Sequence, residues 1–270
     1  AVYPAVLSEQ ECDALLAEAA ALPVGEGFVG GQQGKADPRL RRSVVRALPR
    51  ERFESVYARI TARVEQANAE RYHFTELRLQ AIQLGEYSEE QQGFYHWHVD
   101  QSVSAADLDR DGRLLPAAVG RGWRVLSATL QLSSPGNYTG GELLVGDGPS
   151  RRPSAARGTL VVFPSNALHT VRPVRSGVRY SLVIWLDGSD PLAGQHAVRE
   201  QGANAAAIAR AHEAGEVEAG QLAQVWQLLA RTQAAVGRET EALTSCRKSV
   251  AQVAGASPDE AIGERLVFCH

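Results

Sequence analysis

The stretch FYHWHVD, residues 94–100, places two histidines and an aspartate in a strand-like run of aromatic and apolar residues. Side chains at positions i and i+2 of a strand point to the same face, so His98 and Asp100 would lie side by side. A His-x-Asp pair by itself is a weak signal, because it is more often a surface hydrogen bond than part of a metal site. The stretch therefore fits either an ordinary packed strand or the beginning of a metal centre.

Strand-like segments lie on both sides of this stretch. Apolar residues alternate with others at 77–81 and again at 126–132, where Ser127, Thr129 and Gln131 share the more polar face. The segment Tyr138–Gly141 is predicted as a turn. Further short strands are predicted at 142–145, at 158–163 before Pro164, and at 179–186.

Two helices are predicted ahead of the strands. Ser8 and Glu11 form a capping box that opens the first helix, and apolar residues at helical spacing from Phe53 to Val64 predict the second. Residues 24–50 between them are rich in Gly, Gln and Arg and are predicted as a loop. Two helices followed by several short strands favour a mainly β, α+β fold: an antiparallel double sheet or barrel with helices on one face.

The composition changes after Asp190-Pro191, where strand-forming residues become rare. Residues 196–254 are rich in Ala, Gln, Glu and Leu and are predicted as three helices, of which 226–246 resemble a single tetratricopeptide-like hairpin. One such hairpin is not stable alone, so it must pack on the first domain, on the preceding helix, or on a second copy of the chain as a homodimer. We therefore expect a domain at 1–190 and a helical extension at 191–270.

Composition excludes several classes of function. The 270 residues carry a formal net charge of −3, which predicts no nucleic-acid partner, and no apolar stretch is long enough to cross a bilayer. The first residues lack the basic-then-apolar pattern of a signal peptide. Three scattered cysteines, Cys12, Cys246 and Cys269, favour a reducing compartment over a disulfide framework, and hence a cytoplasmic location.

Three more polar residues in apolar surroundings strengthen the metal-site hypothesis. A non-haem ferrous site needs two imidazoles and one carboxylate on one face of the metal, and His169, just past a predicted strand, is the best third ligand. Alternation along 179–185 points Arg179 and Ser181 into the barrel, where a guanidinium is costly unless it meets an anion. That anion would be either a bound carboxylate or an Asp or Glu of the protein itself.

Taken in order, these motifs resemble the iron(II)/2-oxoglutarate-dependent dioxygenases, in particular the prolyl-4-hydroxylase-like branch, over roughly residues 1–190. The resemblance implies a double-stranded β-helix (jelly-roll) core with the N-terminal helices braced against the larger sheet. It rests on the following segments: Gln83–Tyr87, His98–Asp100, Leu126–Leu132, Tyr138–Leu143, Gly158–Ser165, His169 and Arg179–Ser181.

The resemblance also implies a metal site and its chemistry. His98, Asp100 and His169 would be the catalytic iron ligands, and the cofactors would be Fe(II), 2-oxoglutarate and O2, with ascorbate as a reductant. Asp100 favours hydroxylation, because related halogenases lack this carboxylate so that chloride can bind. The expected reaction hydroxylates an unactivated C–H bond and releases succinate and carbon dioxide.

The same resemblance assigns a binding site for 2-oxoglutarate. Arg179 would bind the distal carboxylate, with Ser181 as a second hydrogen-bond donor. Gln131 occupies a position where relatives often have a tyrosine that touches the same carboxylate. Tyr87 would line the pocket near the metal, or would be an ordinary aromatic residue of a strand. His96 is not expected to bind the metal, and it would lie behind the ligands or at the protein surface.

The substrate is encoded more weakly, and three alternatives follow. We expect a small amino or imino acid, proline-like, over which the segment 101–123 would close unless it is a solvated loop. A peptidyl or protein prolyl hydroxylase would instead use the helical extension for docking, and a non-catalytic binding module would use the extension alone. The apolar stripe Leu222, Val225 and Leu229 separates these readings, since a buried stripe is structural or dimeric and an exposed one is a docking surface.

Overall fold

Two antiparallel sheets form the first part of the chain. The computed structural model describes residues 1–26, 38–101, 115, 123–146, 152–190, 193–215, 219–235 and 238–253. The strands of the larger sheet are β1 (Val2–Tyr3), β2 (Gly25–Glu26), β4 (Val44–Leu48), β5 (Thr75–Leu79), β6 (Ile82–Ser88), β8 (Arg124–Gln131), β9 (Tyr138–Gly140), β11 (Leu160–Pro164) and β13 (Val174–Ser189). The strands of the smaller sheet are β3 (Arg41–Arg42), β7 (Phe94–His98), β10 (Leu143–Val145) and β12 (His169–Val171).

Strand β13 organises the larger sheet. The strand order is β1-β11-β8-β13-β6-β4-β2, and β5 and β9 pair with the two ends of β13. β13 has 16 residues, twice the predicted length, and its β-branched and aromatic residues favour an extended chain. The predicted turn at Tyr138–Gly141 is also wrong in part, because Tyr138–Gly140 pairs as β9 with the beginning of β13.

The smaller sheet has the order β10-β12-β7-β3, so that β7 and β12 are neighbours. The prediction of a loop at 24–50 is wrong for β2, β3 and β4, which lie within it. Arg41 and Arg42 pair through their backbones with Tyr95 and Phe94 of β7. Their guanidinium carbons lie 4.8 Å and 5.2 Å from the centres of the Tyr95 and Phe94 rings, and this cover makes an arginine-rich strand stable.

The two N-terminal helices form as predicted. Helix α1 (Glu9–Ala19) begins with the complete capping box, in which the Ser8 backbone N–H donates to Glu11 Oε2 at 2.8 Å and the Glu11 N–H donates to Ser8 Oγ at 3.2 Å. Helix α2 (Glu54–Ala67) buries its predicted apolar face. Tyr57 on that face donates a hydrogen bond to Leu48 O at 2.8 Å and accepts one from Ile82 N–H at 2.9 Å, which ties the helix to two strands.

The part of the chain beyond Ser189 forms a second compact unit, as far as the structure describes it. It contains the three expected helices, α3 (Ala193–Glu213), α4 (Ala219–Ala235) and α5 (Glu239–Val253), and α4 packs against both of the others. Leu222 and Leu229 of the apolar stripe are buried and Val225 is half-buried. No helix among the described residues is both long and apolar enough to span a membrane.

These features confirm the α+β class, with antiparallel sheets, N-terminal helices and a C-terminal helical extension. Cys269 lies outside the described residues, as does most of the segment 101–123, of which only 101, 115 and 123 are described.

The substitution Gly177→Ala tests the connection between β9 and β13, two residues before Arg179. Gly177 has φ +72°, and an added Cβ would lie 2.1 Å from Asn137 O. We expect a loss of at least about 1–2 kcal/mol in the free energy of unfolding from the left-handed backbone alone. Urea unfolding measures it, with Gly136→Ala as control, because a Cβ at Gly136 meets nothing within 4 Å. Equal losses in the two variants would contradict the analysis.

Candidate active site

The pairing of β7 with β12 brings the three predicted metal ligands together. His98 and His169 are direct partners in the register of these strands, and Asp100 follows β7, where its N–H donates to Ser165 O at 2.8 Å. The distance from Asp100 Oδ1 to His98 Nε2 is 3.8 Å, and that from Oδ2 to His169 Nε2 is 3.5 Å. One potential ligand atom from each of the three side chains lies within 4.8 Å of the others, which is compact enough for a single metal ion.

The backbone orients both imidazoles. His98 Nδ1 lies 2.7 Å from His96 O, and His169 Nδ1 lies 2.9 Å from Ala167 O. A carbonyl oxygen only accepts hydrogen bonds, so each Nδ1 carries a proton, and in the neutral ring the lone pair then lies on Nε2. This is the tautomer in which a histidine binds a metal through Nε2.

Aromatic rings fix the planes of the two histidines. The Tyr95 ring stacks on His98 with ring centres 3.4 Å apart, and the Phe163 ring lies 4.8 Å from the His169 ring. Burial raises the pKa of the Tyr95 phenol to about 12, so this ring is neutral at physiological pH. The two imidazoles therefore lie on two paired strands, with ring neighbours that limit their rotation.

Burial and neighbouring charges set the ionisation of the metal-free site. Burial, followed by the nearby His169, lowers the pKa of His98 to about 3. Burial acts to raise the pKa of the Asp100 carboxyl, but the two imidazoles and the Ser127 hydroxyl outweigh it, and the pKa is lowered. His98 is thus neutral and Asp100 is charged near pH 7, as metal ligands must be.

Strand β13 carries a buried cation, Arg179. The Arg179 side chain is 1% exposed. It donates from Nη1 to Ser181 Oγ at 3.0 Å and from Nη2 to Gln131 Oε1 at 2.8 Å, and its Cζ lies 5.5 Å from the centre of the Tyr87 ring. Within the part of the chain that the structure describes, no carboxylate lies within 4 Å of Arg179. A protein Asp or Glu, the alternative left open above, is therefore not the partner among these residues.

One cavity of about 470 Å³, including its open mouth, joins the ligand cluster to Arg179. Four alternate residues of β13 line it: Arg179, Ser181, Val183 and Trp185. This is the strand face predicted from the sequence. Much of the remaining wall is apolar, contributed by Leu143, Phe163, Val171 and the rings of Tyr87 and Tyr95.

The other predicted residues take distinct places. Tyr87 lines the cavity, whereas Gln131 is buried, binds Arg179 and is not among the cavity-lining residues. His96 is exposed and contributes only its carbonyl oxygen, to His98. The expected cover at 101–123 lies mostly outside the described residues.

Sequence reasoning missed several residues of the site. Arg41 and Tyr95 line the cavity, and Ser127 donates to Asp100 Oδ2 at 2.6 Å. Trp185 also lines it. Its buried indole Nε1 has no hydrogen-bond partner within 3.5 Å in the described part of the chain, although it lies close enough to Asp100 to help lower the pKa of that carboxyl. The alternation of residues 126–132 and 179–185 was the available signal for Ser127 and Trp185. No sequence signal indicated Arg41, because the segment around it resembled a loop.

Comparison with known proteins agrees with this geometry. The model of the 2OG-Fe(II) oxygenase superfamily matches residues 82–187. The PKHD-type hydroxylase YbiX of Escherichia coli O157:H7 (strain EC4115 / EHEC) is 50% identical over 95 residues, which cover 34% of this chain and 36% of the relative. A PKHD-type hydroxylase of Shewanella baltica is 44% identical over 78 residues, which cover 28% and 31%. The matched part is thus about a third of the length of these curated relatives.

A solved structure shares the fold. It is the prolyl hydroxylase of Trichoplax adhaerens in complex with a peptide fragment of the hypoxia inducible factor oxygen degradation domain. The TM-score is 0.51 at 14% identity, and the match covers 69% of this chain and 82% of that one. This likeness concerns the fold, and the assignment of site residues in the present chain rests on the distances and contacts described above.

The low pKa of His98 predicts how the stability of the metal-free protein depends on pH. The pKa is about 3 in the folded chain against 6.5 for a free histidine, so between these values the unfolded chain binds a proton that the folded chain does not. The contribution of His98 is complete above pH 6.5 and is lost as the pH falls towards 3. One such group changes the free energy of unfolding by at most about 1.4 kcal/mol per pH unit.

Urea unfolding at pH 7.5, 6.0 and 5.0 in the presence of a chelator measures this dependence. We expect the stability of His98→Gln to fall less steeply with acidification than that of the unaltered chain. His73→Gln replaces a histidine between α2 and β5 that does not line the cavity, so it is the matched control and should keep the original slope. Parallel pH profiles for all three proteins would contradict the prediction.

Proposed function

We propose that this chain, whose residues 82–187 match the model of the 2OG-Fe(II) oxygenase superfamily, hydroxylates an unactivated C–H bond of a small, proline-like amino or imino acid. The match implies Fe(II), 2-oxoglutarate and O2 as cofactors. When bound, iron and 2-oxoglutarate together supply the oxidising power: one oxygen atom of O2 enters the substrate and the other enters succinate, with release of carbon dioxide.

One observation carries the proposal: the buried Arg179 shares a cavity with the His98, Asp100 and His169 cluster and has only neutral side-chain acceptors among the described residues. An isolated buried charge is costly, so the cavity is built for a ligand that brings an anion. A planar guanidinium binds a carboxylate through two parallel hydrogen bonds. A dicarboxylate that reaches the metal with one end and Arg179 with the other satisfies both features.

The residues fit an iron(II) ion and its co-substrate. Two imidazoles whose Nδ1 atoms are engaged by backbone carbonyls and one carboxylate are the donor set of non-haem Fe(II) oxygenases. Such a set leaves other positions around the metal open. The N–H of Trp185 in the same wall has no hydrogen-bond partner among the described residues, and it would donate to an acceptor atom of a bound ligand. We propose that His98, Asp100 and His169 hold the metal.

The remaining side chains divide the work of binding and orientation. Arg179 would neutralise the distal carboxylate of 2-oxoglutarate, and Ser181 and Gln131 would hold the guanidinium in place. Tyr87 lies against that guanidinium and closes the cavity on its apolar side. The apolar wall excludes water from the reacting carbon and accepts a hydrocarbon ring or chain.

The lining of the cavity agrees with a small, largely apolar substrate. Tyr95, Leu143 and Phe163 line it together with the metal-ligand candidates, and their apolar surfaces favour contact with a hydrocarbon ring or chain.

A peptidyl prolyl hydroxylase is the second candidate, because such an enzyme also inserts a single proline ring. The observation in its favour is the helical unit of α3, α4 and α5, which hydroxylation of a free amino acid does not require. In this candidate, residues 1–190 would carry out the reaction and residues 191–270 would dock the peptide. A pure binding module is disfavoured, because its expected docking residues Leu222 and Leu229 are buried.

Metal and 2-oxoglutarate binding should be separable by two substitutions. Mn(II) is a redox-silent stand-in for Fe(II), and calorimetry measures its binding and then that of 2-oxoglutarate. We expect His98→Ala to lose Mn(II) binding. Arg179→Ala should keep the Mn(II) affinity within about threefold and lose at least about 30-fold in 2-oxoglutarate affinity, since a buried charge pair is worth 2 kcal/mol or more.

The control is Arg63→Ala, an exposed arginine of α2, which should bind both ligands like the unaltered chain. Absence of Mn(II) binding in a folded, unaltered chain would refute the proposal. Equal 2-oxoglutarate affinity in Arg179→Ala and the unaltered chain would refute the role of Arg179.

Succinate release with Fe(II), 2-oxoglutarate and O2 identifies the substrate class. We expect free L-proline or a related amino acid to raise succinate release above the substrate-free rate, with a mass increase of one oxygen atom in that compound. Stimulation only by proline-containing peptides would favour the second candidate. A protein that binds 2-oxoglutarate but responds to neither set would refute the assignment to proline-like compounds.

A further inference from the structure

We propose that two buried serines, Ser127 and Ser165, hold the Asp100 carboxylate in the orientation in which it binds the metal. This inference rests on the proposed function, because it assumes that Asp100 binds the metal. It adds two positioning residues that no sequence motif indicates.

The three side chains form a hydrogen-bonded chain. Ser127 Oγ lies 2.6 Å from Asp100 Oδ2 and 2.9 Å from Ser165 Oγ, and both serines are 1% exposed. The ionised carboxylate has no hydrogen to donate, so the single hydroxyl hydrogen of Ser127 must point to Oδ2. The Ser165 hydroxyl then donates to Ser127, and the direction of the chain is Ser165 to Ser127 to Asp100.

The backbone supports the same arrangement. Asp100 N–H donates to Ser165 O at 2.8 Å, and Ser165 N–H donates to Val125 O at 3.1 Å. Ser165 therefore holds Asp100 both directly and through Ser127. Ser127 lies on β8, opposite Phe163 of β11 and Trp185 of β13, so the carboxylate is braced by the centre of the larger sheet.

The two oxygens of Asp100 have different partners. Oδ2 accepts the short hydrogen bond from Ser127 and lies 3.5 Å from His169 Nε2, whereas Oδ1 lies 3.8 Å from His98 Nε2 and accepts no hydrogen bond within 3.5 Å from the described residues. Because the Ser127 hydroxyl holds Oδ2 in place, the carboxylate keeps both oxygens turned towards the two imidazoles. The serines therefore fix the position from which Asp100 would bind the metal.

Metal binding without catalysis tests this inference. The Mn(II) affinity of Ser127→Ala should fall by about 10- to 100-fold, as is typical when a partner of a metal ligand is removed. Ser165→Ala should lose less, because Ser127 still donates to Asp100. Ser127→Thr keeps the hydroxyl and should restore the affinity. Ser133→Ala is the matched control: Ser133 is also buried and hydrogen-bonded, to Val178 O, but does not contact Asp100.

The visible spectrum of the Co(II)-loaded protein is a second measurement, because its intensity depends on the number of ligands around the ion. We expect an altered spectrum in Ser127→Ala and the original spectrum in Ser127→Thr and Ser133→Ala. The loss of a buried polar side chain in general would also alter the spectrum of Ser133→Ala, so this pattern is specific to the hydroxyl of Ser127. If Ser127→Ala does not fold, Ser165→Ala decides, with reduced Mn(II) affinity as the supporting result and unchanged affinity as the contradicting one.

The outcomes separate this inference from the proposed function. If the unaltered chain binds Mn(II), and Ser127→Ala binds it equally well with an unchanged Co(II) spectrum, the role of the serines is refuted and the metal site stands. If the folded, unaltered chain binds neither ion, the metal site itself is refuted, and the role of the serines with it.

Discussion

The register of two strand pairs is the constraint on which the site depends. Pairing of β7 with β12 sets His98 opposite His169, and pairing of β8 with β13 sets Gln131 opposite Ser181 and Ser127 opposite Trp185. A slip of one residue in either pair would turn these side chains to the opposite face. The buried apolar residues on the other face, such as Leu130 and Leu182, oppose such a slip, so the hydrophobic core also determines the position of the polar groups.

The polar groups of the site divide into paired and unpaired ones, and this division indicates what the cavity is for. Asp100 has a donor at one oxygen, and each imidazole has a carbonyl partner at Nδ1. Arg179 has two neutral partners and no carboxylate among the described residues, and the N–H of Trp185 has none. Buried groups left in this state cost free energy, which a ligand with matching charge and acceptors would recover. The arrangement is that of a binding site prepared in advance.

The sequence predicted the main parts of this architecture, and its errors have physical causes. The capping box at Ser8, the apolar face of α2 and the alternation along β13 are local patterns, and the structure contains each of them. The segment 24–50 was predicted wrongly as a loop because its short strands carry arginines, which are poor indicators of a strand. Their stability comes from pairing with β7 and from the rings of Phe94 and Tyr95, which lie far away in the sequence.

By itself, the sequence determined which residues share a strand face, since alternation depends only on the backbone: Arg179 with Ser181 and Trp185, and Ser127 with Gln131. It also supplied the motif order that indicates the superfamily. Only the tertiary structure decided that Arg179 has no carboxylate partner among the described residues, that Gln131 braces it from outside the cavity lining, and that Ser127 engages one oxygen of Asp100. These facts depend on contacts between residues 27 to 48 positions apart, which the register of the paired strands sets and no local pattern contains.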